Sequence, residues 1–213
     1  MSGISKLERV ASAAAGVAGD APLQGTLTDP IAGNFSTWFN QGSSSLVDHT
    51  GAISLVTPGA GSGANMHAIG QTAPATPWTV AGRVETQAMA KSFHLSGVFV
   101  GDNSSGRLLT CTIGSTAITQ ASEWTTGTSF NANVGNTATV HGAWPWFQIT
   151  DTGSLITFSI SKTGLASTWI QIYSASRTAW LSTPDRMGIC AQDQNSSTPN
   201  YSVITTCQSW TVT

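Results

Sequence analysis

The segment Ile156-Thr157-Phe158-Ser159-Ile160-Ser161 decides the fold, because large apolar residues alternate in it with small hydroxyl residues. Successive side chains of a β-strand point to opposite faces, so this alternation predicts a strand with one buried and one solvent-facing side. Asp151-Thr152-Gly153 precedes the segment and Lys162-Thr163-Gly164 follows it. Both triplets are typical of hairpin turns, in which glycine supplies a positive φ. The stretch therefore predicts antiparallel strands joined by tight turns.

The same period-two pattern continues along most of the chain after residue 22. No convincing helical stretch follows residue 20, which excludes a βαβ architecture. The sequence also lacks a repeat of fixed period, which argues against a propeller or a β-helix. We predict one domain over 23–213, an all-β antiparallel jelly-roll β-sandwich. On one strand His94 lies opposite Phe93 and Leu95, so we expect His94 to be exposed. Further strands are predicted at 78–84, 93–100, 108–113, 146–150, 169–173, 186–191 and 201–212.

The composition is unusually poor in charge. Charged residues make up 8% of the 213 residues, against about 25% in a typical soluble domain. Eight Trp and seven Phe argue against disorder, and no run of ~18 apolar residues could span a membrane. Eight basic residues lie scattered in a chain of net charge −2, which argues against nucleic-acid binding. A neutral, hydroxyl-rich surface suits a protein that works in a larger assembly or outside a cell.

Residues 1–22 differ from the rest and form a predicted N-terminal arm. Their apolar side chains recur at helical spacing, but a helix this short is marginal alone and needs a surface to lie on. A signal peptide is disfavoured, since Glu8 lies in the would-be basic region and the apolar stretch is weak. The alternative is a loosely ordered tail. The candidate assembly residues of the arm are Ile4, Leu7, Ala11, Ala14 and Ala18.

The sequence offers no convincing catalytic constellation. Jelly-roll glycosidases need two carboxylates facing each other across the sugar. The only glutamates beyond the arm are Glu85 and Glu123, and neither has an acidic neighbour two residues on. The candidate aspartates lie in apparent turns, where local backbone hydrogen bonding explains them: Asp102, Asp151, Asp185 and Asp193. We therefore predict that the protein is not an enzyme, with a degenerate glycosidase as a minor alternative.

Cofactor and metal sites are not predicted either. His49, His67, His94 and His141 are isolated, and no His/Cys spacing suggests zinc. The alternative is a calcium site that draws on oxygen ligands from Asp102, Asn103, Asp193 and Asn195. Cys111, Cys190 and Cys207 are interpreted as small buried hydrophobes. A Cys190–Cys207 bridge between neighbouring strands is the other possibility for that pair.

Sugar binding without catalysis needs exposed aromatic platforms beside amide or carboxylate groups. The Trp144-Pro145-Trp146 stretch is the best candidate. Adjacent residues of a strand point to opposite faces, so Trp144 and Trp146, two residues apart, would share one face. Core packing is the alternative for each tryptophan. The candidate glycan-binding residues are Trp144, Trp124 and Trp180.

Several short motifs resemble the concanavalin-A-like (laminin-G-like) jelly rolls of phage virion proteins, over roughly residues 23–213. In one respect the chain departs from that family, because Thr163 stands where a hairpin Asp is usual. The matching stretches are Phe35-Ser36-Thr37-Trp38-Phe39-Asn40-Gln41-Gly42, residues 51–55, Pro77-Trp78-Thr79-Val80, residues 96–109, residues 146–153, residues 161–164 with Trp169, and Pro184-Asp185-Arg186-Met187-Gly188-Ile189.

The resemblance implies a virion structural protein: a capsid decoration, collar or tail-associated subunit. Such a subunit would act through assembly contacts with other virion proteins, and we expect a homo-oligomer because symmetric oligomers are common. The alternative is a carbohydrate-binding adhesin module that recognises host surface glycans.

Overall fold

The computed structural model describes residues 27–59, 63–87, 94–114, 118–136, 146–194 and 202–213. The predicted arm, with Ile4, Leu7, Ala11, Ala14 and Ala18, lies outside the described residues, and so does Trp144. Within the described part of the chain no helix is long and apolar enough to cross a membrane.

Fourteen strands within these ranges form two antiparallel seven-stranded sheets, as the alternation of the sequence predicts. Sheet I has the order β1-β4-β13-β6-β7-β8-β9, and sheet II has the order β12-β11-β10-β5-β14-β3-β2. The strands of sheet I are β1 Thr37–Phe39, β4 Met66–Thr72, β6 His94–Asp102, β7 Arg107–Gly114, β8 Thr119–Thr126, β9 Ser129–Asn136 and β13 Arg186–Asp193. Those of sheet II are β2 Ser45–His49, β3 Ala52–Thr57, β5 Trp78–Gln87, β10 Trp146–Asp151, β11 Leu155–Ser161, β12 Ile170–Ser176 and β14 Val203–Val212. The helical elements described are two short 3₁₀ turns, Ala32–Asn34 and Ala166–Thr168.

The inner core lies between the two sheets and confirms the predicted sandwich. Ile156, Phe158 and Ile160 of β11 are all buried there, so the alternation that predicted this strand identified its core face. Asp151-Thr152-Gly153 forms the tight turn from β10 to β11, and Gly153 has the positive φ of 87° that a hairpin glycine supplies. Asp185 pairs with Arg186 at 3.0 Å where β13 begins.

A second apolar cluster, which we call the outer cluster, lies on the opposite face of sheet I. Its members come from strands of that sheet alone, so it cannot belong to the core between the sheets. Because of it, the central strands of sheet I are covered on both faces, and all nine residues of β6 are buried. The outer cluster consists of Phe39, Met66, Ala68, Leu95, Phe99, Leu108, Trp124 and Cys190.

The expectation that His94 is exposed is wrong, because its side chain is 0% exposed. Leu95 belongs to the outer cluster, so His94 points to the other side of β6, toward the inner core. A strand that is covered on both faces leaves no solvent side, and alternation within its sequence then cannot indicate exposure.

Sheet I curls over its outer face. The Met66 amide of β4 donates a hydrogen bond of 2.7 Å to the Gly127 carbonyl in the turn between β8 and β9. In a flat sheet β4 and β8 would lie about 19 Å apart, because four strand spacings separate them. The curl brings the β8–β9 hairpin over the outer cluster.

Glycines on the outer face make room for this curl. A side chain at Gly101 would overlap the Phe39 ring, and one at Gly70 would overlap the Phe99 ring. The two rings pack edge to face with centroids 5.4 Å apart. Aromatic residues thus fill the inside of the curl where the strands themselves carry no side chain.

All three cysteines are free and buried, as the favoured interpretation predicted. The alternative Cys190–Cys207 bridge is wrong. Cys190 belongs to the outer cluster and Cys207 to the inner core, so sheet I lies between the two sulfur atoms.

Candidate ligand-binding cleft

A cleft of about 330 Å³ opens where the curled sheet brings three segments together. These segments are the end of β1, the β6–β7 turn and the β8–β9 turn. The lining combines aromatic, amide, hydroxyl and glycine residues, and none of its members carries a charge. They are Trp38, Phe39, Asn40, Asn103, Gly106, Thr126, Gly127 and Thr128.

Asp102 holds the β6–β7 turn in place. Its Oδ1 accepts hydrogen bonds from the Ser104 amide (3.0 Å), the Ser104 hydroxyl (2.6 Å) and the Ser105 amide (3.2 Å). Its Oδ2 accepts one from the Thr183 amide at 3.1 Å, which ties the turn to the segment before β13. Burial raises the pKa of this carboxyl, but the four hydrogen bonds outweigh burial and lower the pKa from 3.8 to about 2. The turn therefore presents Asn103 from a rigid base.

Asn103 itself has an exposed side chain at the cleft. Its backbone amide donates to Asp185 Oδ1 at 3.0 Å, which fixes the main chain, while the side-chain amide makes no hydrogen bond within the described part of the chain. A side-chain amide can donate two hydrogen bonds and accept two, which suits a ligand with several hydroxyl groups.

Asn40, which also lines the cleft, is positioned by a partly buried polar network. It adopts a left-handed backbone conformation with φ of 55°, which Asn tolerates better than most residues. Its Nδ2 donates to Asn65 Oδ1 at 2.8 Å and to the Met66 carbonyl at 3.1 Å. The His67 Nδ1 donates to the Asn40 carbonyl at 2.7 Å. Both the side chain and the main chain of Asn40 are thus fixed by hydrogen bonds to β4 and to the residue before it.

His67 links this network to Asp193. The Asn65 amide donates to Asp193 Oδ1 at 2.8 Å, and His67 Nε2 lies 3.5 Å from the same oxygen. Burial lowers the pKa of His67, but the interaction with Asp193 and the hydrogen bond to the Asn40 carbonyl outweigh burial, so the pKa is raised above 6.5. The Nδ1 proton that supports the Asn40 carbonyl is present in both charge states of His67, and Nε2 also lies 2.9 Å from the Asn65 amide nitrogen.

The β8–β9 turn supplies hydroxyls and an aromatic ring. The side chains of Thr126 and Thr128 are exposed, with their hydroxyl oxygens 3.3 Å apart. Two residues beyond Thr128, the ring of Phe130 is 44% exposed. It packs in a T-shaped arrangement against Trp124, with ring centroids 5.3 Å apart.

The structure gives different positions to the tryptophans that were predicted as glycan platforms. Trp124 is 1% exposed in the outer cluster and cannot serve as an exposed platform, because the curl turns that part of β8 inward. Trp180 is half-buried: its Nε1 donates to the Leu108 carbonyl at 3.0 Å, and the Arg107 guanidinium lies 4.8 Å from its ring centre. A cation already stacks on that ring. Trp144 lies outside the described residues.

The acidic and metal-ligating residues do not gather at the cleft. Asp151 accepts from Arg177 Nε at 2.8 Å on the other sheet, and Glu85 pairs with Arg83 at 2.6 Å. Across the described ranges no group of three or more His, Cys, Asp or Glu side chains could hold a metal ion. Of the candidate calcium ligands, Asp102 and Asn103 lie at the β6–β7 turn, while Asp193 is engaged by Asn65 beneath Asn40. Asn195 is outside the described residues.

Solved structures with the same fold include lectin-like and glycoside-hydrolase chains. A functionally unknown protein from Saccharomyces cerevisiae is 17% identical, with a TM-score of 0.57, 83% of this chain covered and 95% of that chain. The GH43 protein BlXynB from Bacillus licheniformis is 14% identical, with a TM-score of 0.59, and this chain, 87% covered, spans 37% of its length. The legume lectin-like domain from Entamoeba histolytica is 10% identical, with a TM-score of 0.53, and the match covers 85% of this chain and 90% of that one.

These likenesses establish the fold: the chain is a lectin-like, concanavalin-A-like jelly roll. No protein-family model matches its sequence, and no curated protein is similar to it. At such low identities the comparisons identify an architecture and not a shared site.

Sequence reasoning missed most residues of the cleft. Asn103 was named as a candidate calcium ligand, and Trp38, Phe39 and Asn40 as part of a family motif, but nothing in the sequence indicated that these segments meet. They meet because sheet I curls, and the curl depends on contacts such as that between Met66 and Gly127, which lie 61 residues apart in the sequence. The run Thr125-Thr126-Gly127-Thr128 was the available signal, since it marks a polar hairpin turn.

Proposed function

We propose that this chain is a carbohydrate-binding module whose ligand occupies the cleft between β1, the β6–β7 turn and the β8–β9 turn. The observation that supports this most directly is the lining of the cleft, where an exposed side-chain amide and two exposed hydroxyl groups lie beside the half-buried ring of Trp38. Sugars need such a combination, because their hydroxyls take hydrogen bonds while their C–H faces stack on aromatic surface. The lectin-like fold is consistent with this proposal.

Binding without catalysis fits the chemistry of the lining. Glycoside hydrolysis needs two carboxyl groups on either side of the scissile bond, and none of the eight residues that line the cleft is acidic. The two carboxylates that contact the β6–β7 turn are already engaged, Asp102 by the turn and Asp185 by Asn103 and Arg186. The GH43 protein BlXynB is a much longer chain, and this domain spans 37% of its length.

A glycan array followed by titration calorimetry tests the proposal. We expect saturable binding that Asn103→Ala and Thr128→Ala each weaken by roughly tenfold, the loss of about one hydrogen-bonding group. Asn34→Ala and Thr125→Ala are the matched controls, since both residues are exposed but lie outside the cleft lining. Binding that both cleft variants leave unchanged would place the glycan elsewhere, and no binding at all would refute the function.

A second proposal concerns the setting in which the module works: a phage virion, as a decoration, collar or tail-associated subunit. It is supported by the motifs shared with virion jelly rolls and by a charged fraction of 8%, which suits burial against neighbouring subunits. In this setting the two functions are compatible, since a virion subunit that binds host glycans is an adhesin.

Deleting residues 1–20 tests the assembly half of this proposal. The truncated protein should fold with the same β-sheet circular dichroism and fail to enter particles. Normal incorporation of the truncated protein would exclude the arm as an assembly element.

A further inference from the structure

We propose that the cleft receives the terminus of an uncharged glycan chain and excludes internal segments of a polysaccharide. This inference rests on the proposed function and makes it more specific. It comes from two features of the site, one closed side and a neutral lining.

The β8–β9 turn closes one side of the cleft. The Gly127 carbonyl accepts the Met66 amide at 2.7 Å, and a side chain at position 127 would overlap both Asn40 and the Met66 carbonyl. Backbone therefore touches backbone there, with no room for even one added carbon. A polysaccharide that ran across the outer face of sheet I would have to leave through this contact.

The contact is held from both sides. On the β1 side, Asn40 is fixed by Asn65, by the Met66 carbonyl and by His67. On the other side, the turn is continuous with β8, whose Trp124 is buried in the outer cluster. Opening the cleft to a threaded chain would break the Met66–Gly127 hydrogen bond and expose part of that cluster, so the closed side belongs to the folded state.

The volume agrees with a short ligand. About 330 Å³ lies near the lower end of the range for small-molecule sites, which is roughly 300–1,000 Å³. This is room for the last sugars of a chain and not for an extended segment.

The lining selects against charged sugars. It offers amides, hydroxyls and aromatic rings but no cation that could pair with a sialic or uronic carboxylate. Arg107, at the end of the β6–β7 turn, stacks on Trp180 and donates to its carbonyl at 3.0 Å. Arg186 is engaged by Asp185 and by the Thr37 hydroxyl at 3.1 Å. A buried carboxylate without a partner would carry a desolvation cost that a neutral sugar avoids.

The experiment measures stoichiometry as a function of chain length. The probes are neutral gluco-, manno-, xylo- and galacto-oligosaccharides of increasing length, their parent polysaccharides, and sialylated and uronic-acid oligosaccharides. Titration calorimetry with the full chain gives the number of protein molecules bound per glycan chain. Terminal recognition predicts one protein per chain end at every length, and at equal mass the affinity of a polysaccharide falls as its chains lengthen.

Each result decides something. If stoichiometry rises in proportion to chain length, or if charged oligosaccharides bind more tightly than neutral ones, this inference is wrong while the carbohydrate-binding function stands. If no probe binds, the proposed function fails and the inference fails with it. Asn103→Ala should weaken binding to the chain end, and Asn34→Ala should not, which ties the stoichiometry to this cleft.

Discussion

The Met66 amide lies 2.7 Å from the Gly127 carbonyl, a hydrogen bond between the first residue of β4 and a turn that the sheet order places four strands away. This hydrogen bond can form only because sheet I curls. The same curl buries the outer cluster, closes one side of the cleft and brings Asn40 and Asn103 to the same cleft. Fold and site therefore depend on the same geometry.

Gly127→Ala should destabilise the protein. The added methyl group would overlap Asn40 and the Met66 carbonyl, and backbone cannot move aside as a flexible side chain can. We expect the free energy of unfolding to fall by about 1–3 kcal/mol, measured by urea denaturation. Gly33→Ala is the control, because nothing lies within 4 Å of a side chain there. Equal stability of the two variants would mean that the turn does not rest on β4.

The two buried histidines on the inner side of sheet I should respond in opposite ways to replacement by leucine. Neither ring nitrogen of His94 has a hydrogen-bond partner among the described residues, so a buried polar group there is uncompensated. We expect His94→Leu to raise the free energy of unfolding by about 1 kcal/mol. His67→Leu should lower it by about 1–3 kcal/mol, since it removes the donor to the Asn40 carbonyl. Thermal unfolding of both variants beside the parent is the measurement, and destabilisation by His94→Leu would show that its ring has a partner.

The cost of His67→Leu should depend on pH. The folded-state pKa of His67 is raised above 6.5, so its protonation stabilises the fold fully below that value, and this contribution is lost as the pH rises through the folded-state pKa. We therefore expect the variant to lose more stability relative to the parent at about pH 5.5 than at about pH 8.5. A pH-independent difference would contradict the link to Asp193.

Asp102 should contribute to acid unfolding. Its pKa is lowered from 3.8 to about 2, so the stability it provides is present above pH 3.8 and is lost as the pH falls toward 2. Asp102→Asn should remove about 2 kcal/mol at neutral pH and flatten the pH dependence of stability between those values. Asp48→Asn, at an exposed position, should change stability by less than about 0.5 kcal/mol. If both variants behave alike, the four hydrogen bonds to Asp102 do not matter for stability.

The three thiols should be inert in the native protein. Burial raises the pKa of Cys207 to about 12 and raises those of Cys111 and Cys190 as well, so almost no thiolate forms at pH 8. A disulfide reagent should modify none of them under native conditions and all three in denaturant. Rapid modification of a native thiol would show that one of the two clusters opens.

The sequence predicted the sandwich well, because its evidence is local. Alternation in β11 reports which face of a strand is buried, and glycine turns such as the one at Gly153 report where strands reverse. Each of these signals depends only on residues that are close together in the sequence, and both agree with the structure.

The candidate cleft could not be predicted from such local signals. The candidate platforms rested on the idea that an aromatic residue in a strand can face solvent, and for Trp124 this idea is wrong. Its strand curls inward, so its outward-pointing side chain is buried in the outer cluster. His94 was misplaced for the same reason, since alternation identifies two faces but cannot say that both are covered.

The contrast between β6 and β12 bears on how this sequence can change over evolutionary time. All nine residues of β6 are buried, whereas none of the seven in β12 is. Most substitutions in β6 must therefore disturb packing on one face of sheet I or the other, while β12 is constrained mainly at Ile172 and Tyr173, which pack against the inner core. Distant relatives of this chain should be recognisable by residues 94–102, in the middle of sheet I, long after the outer strands of sheet II have lost all similarity.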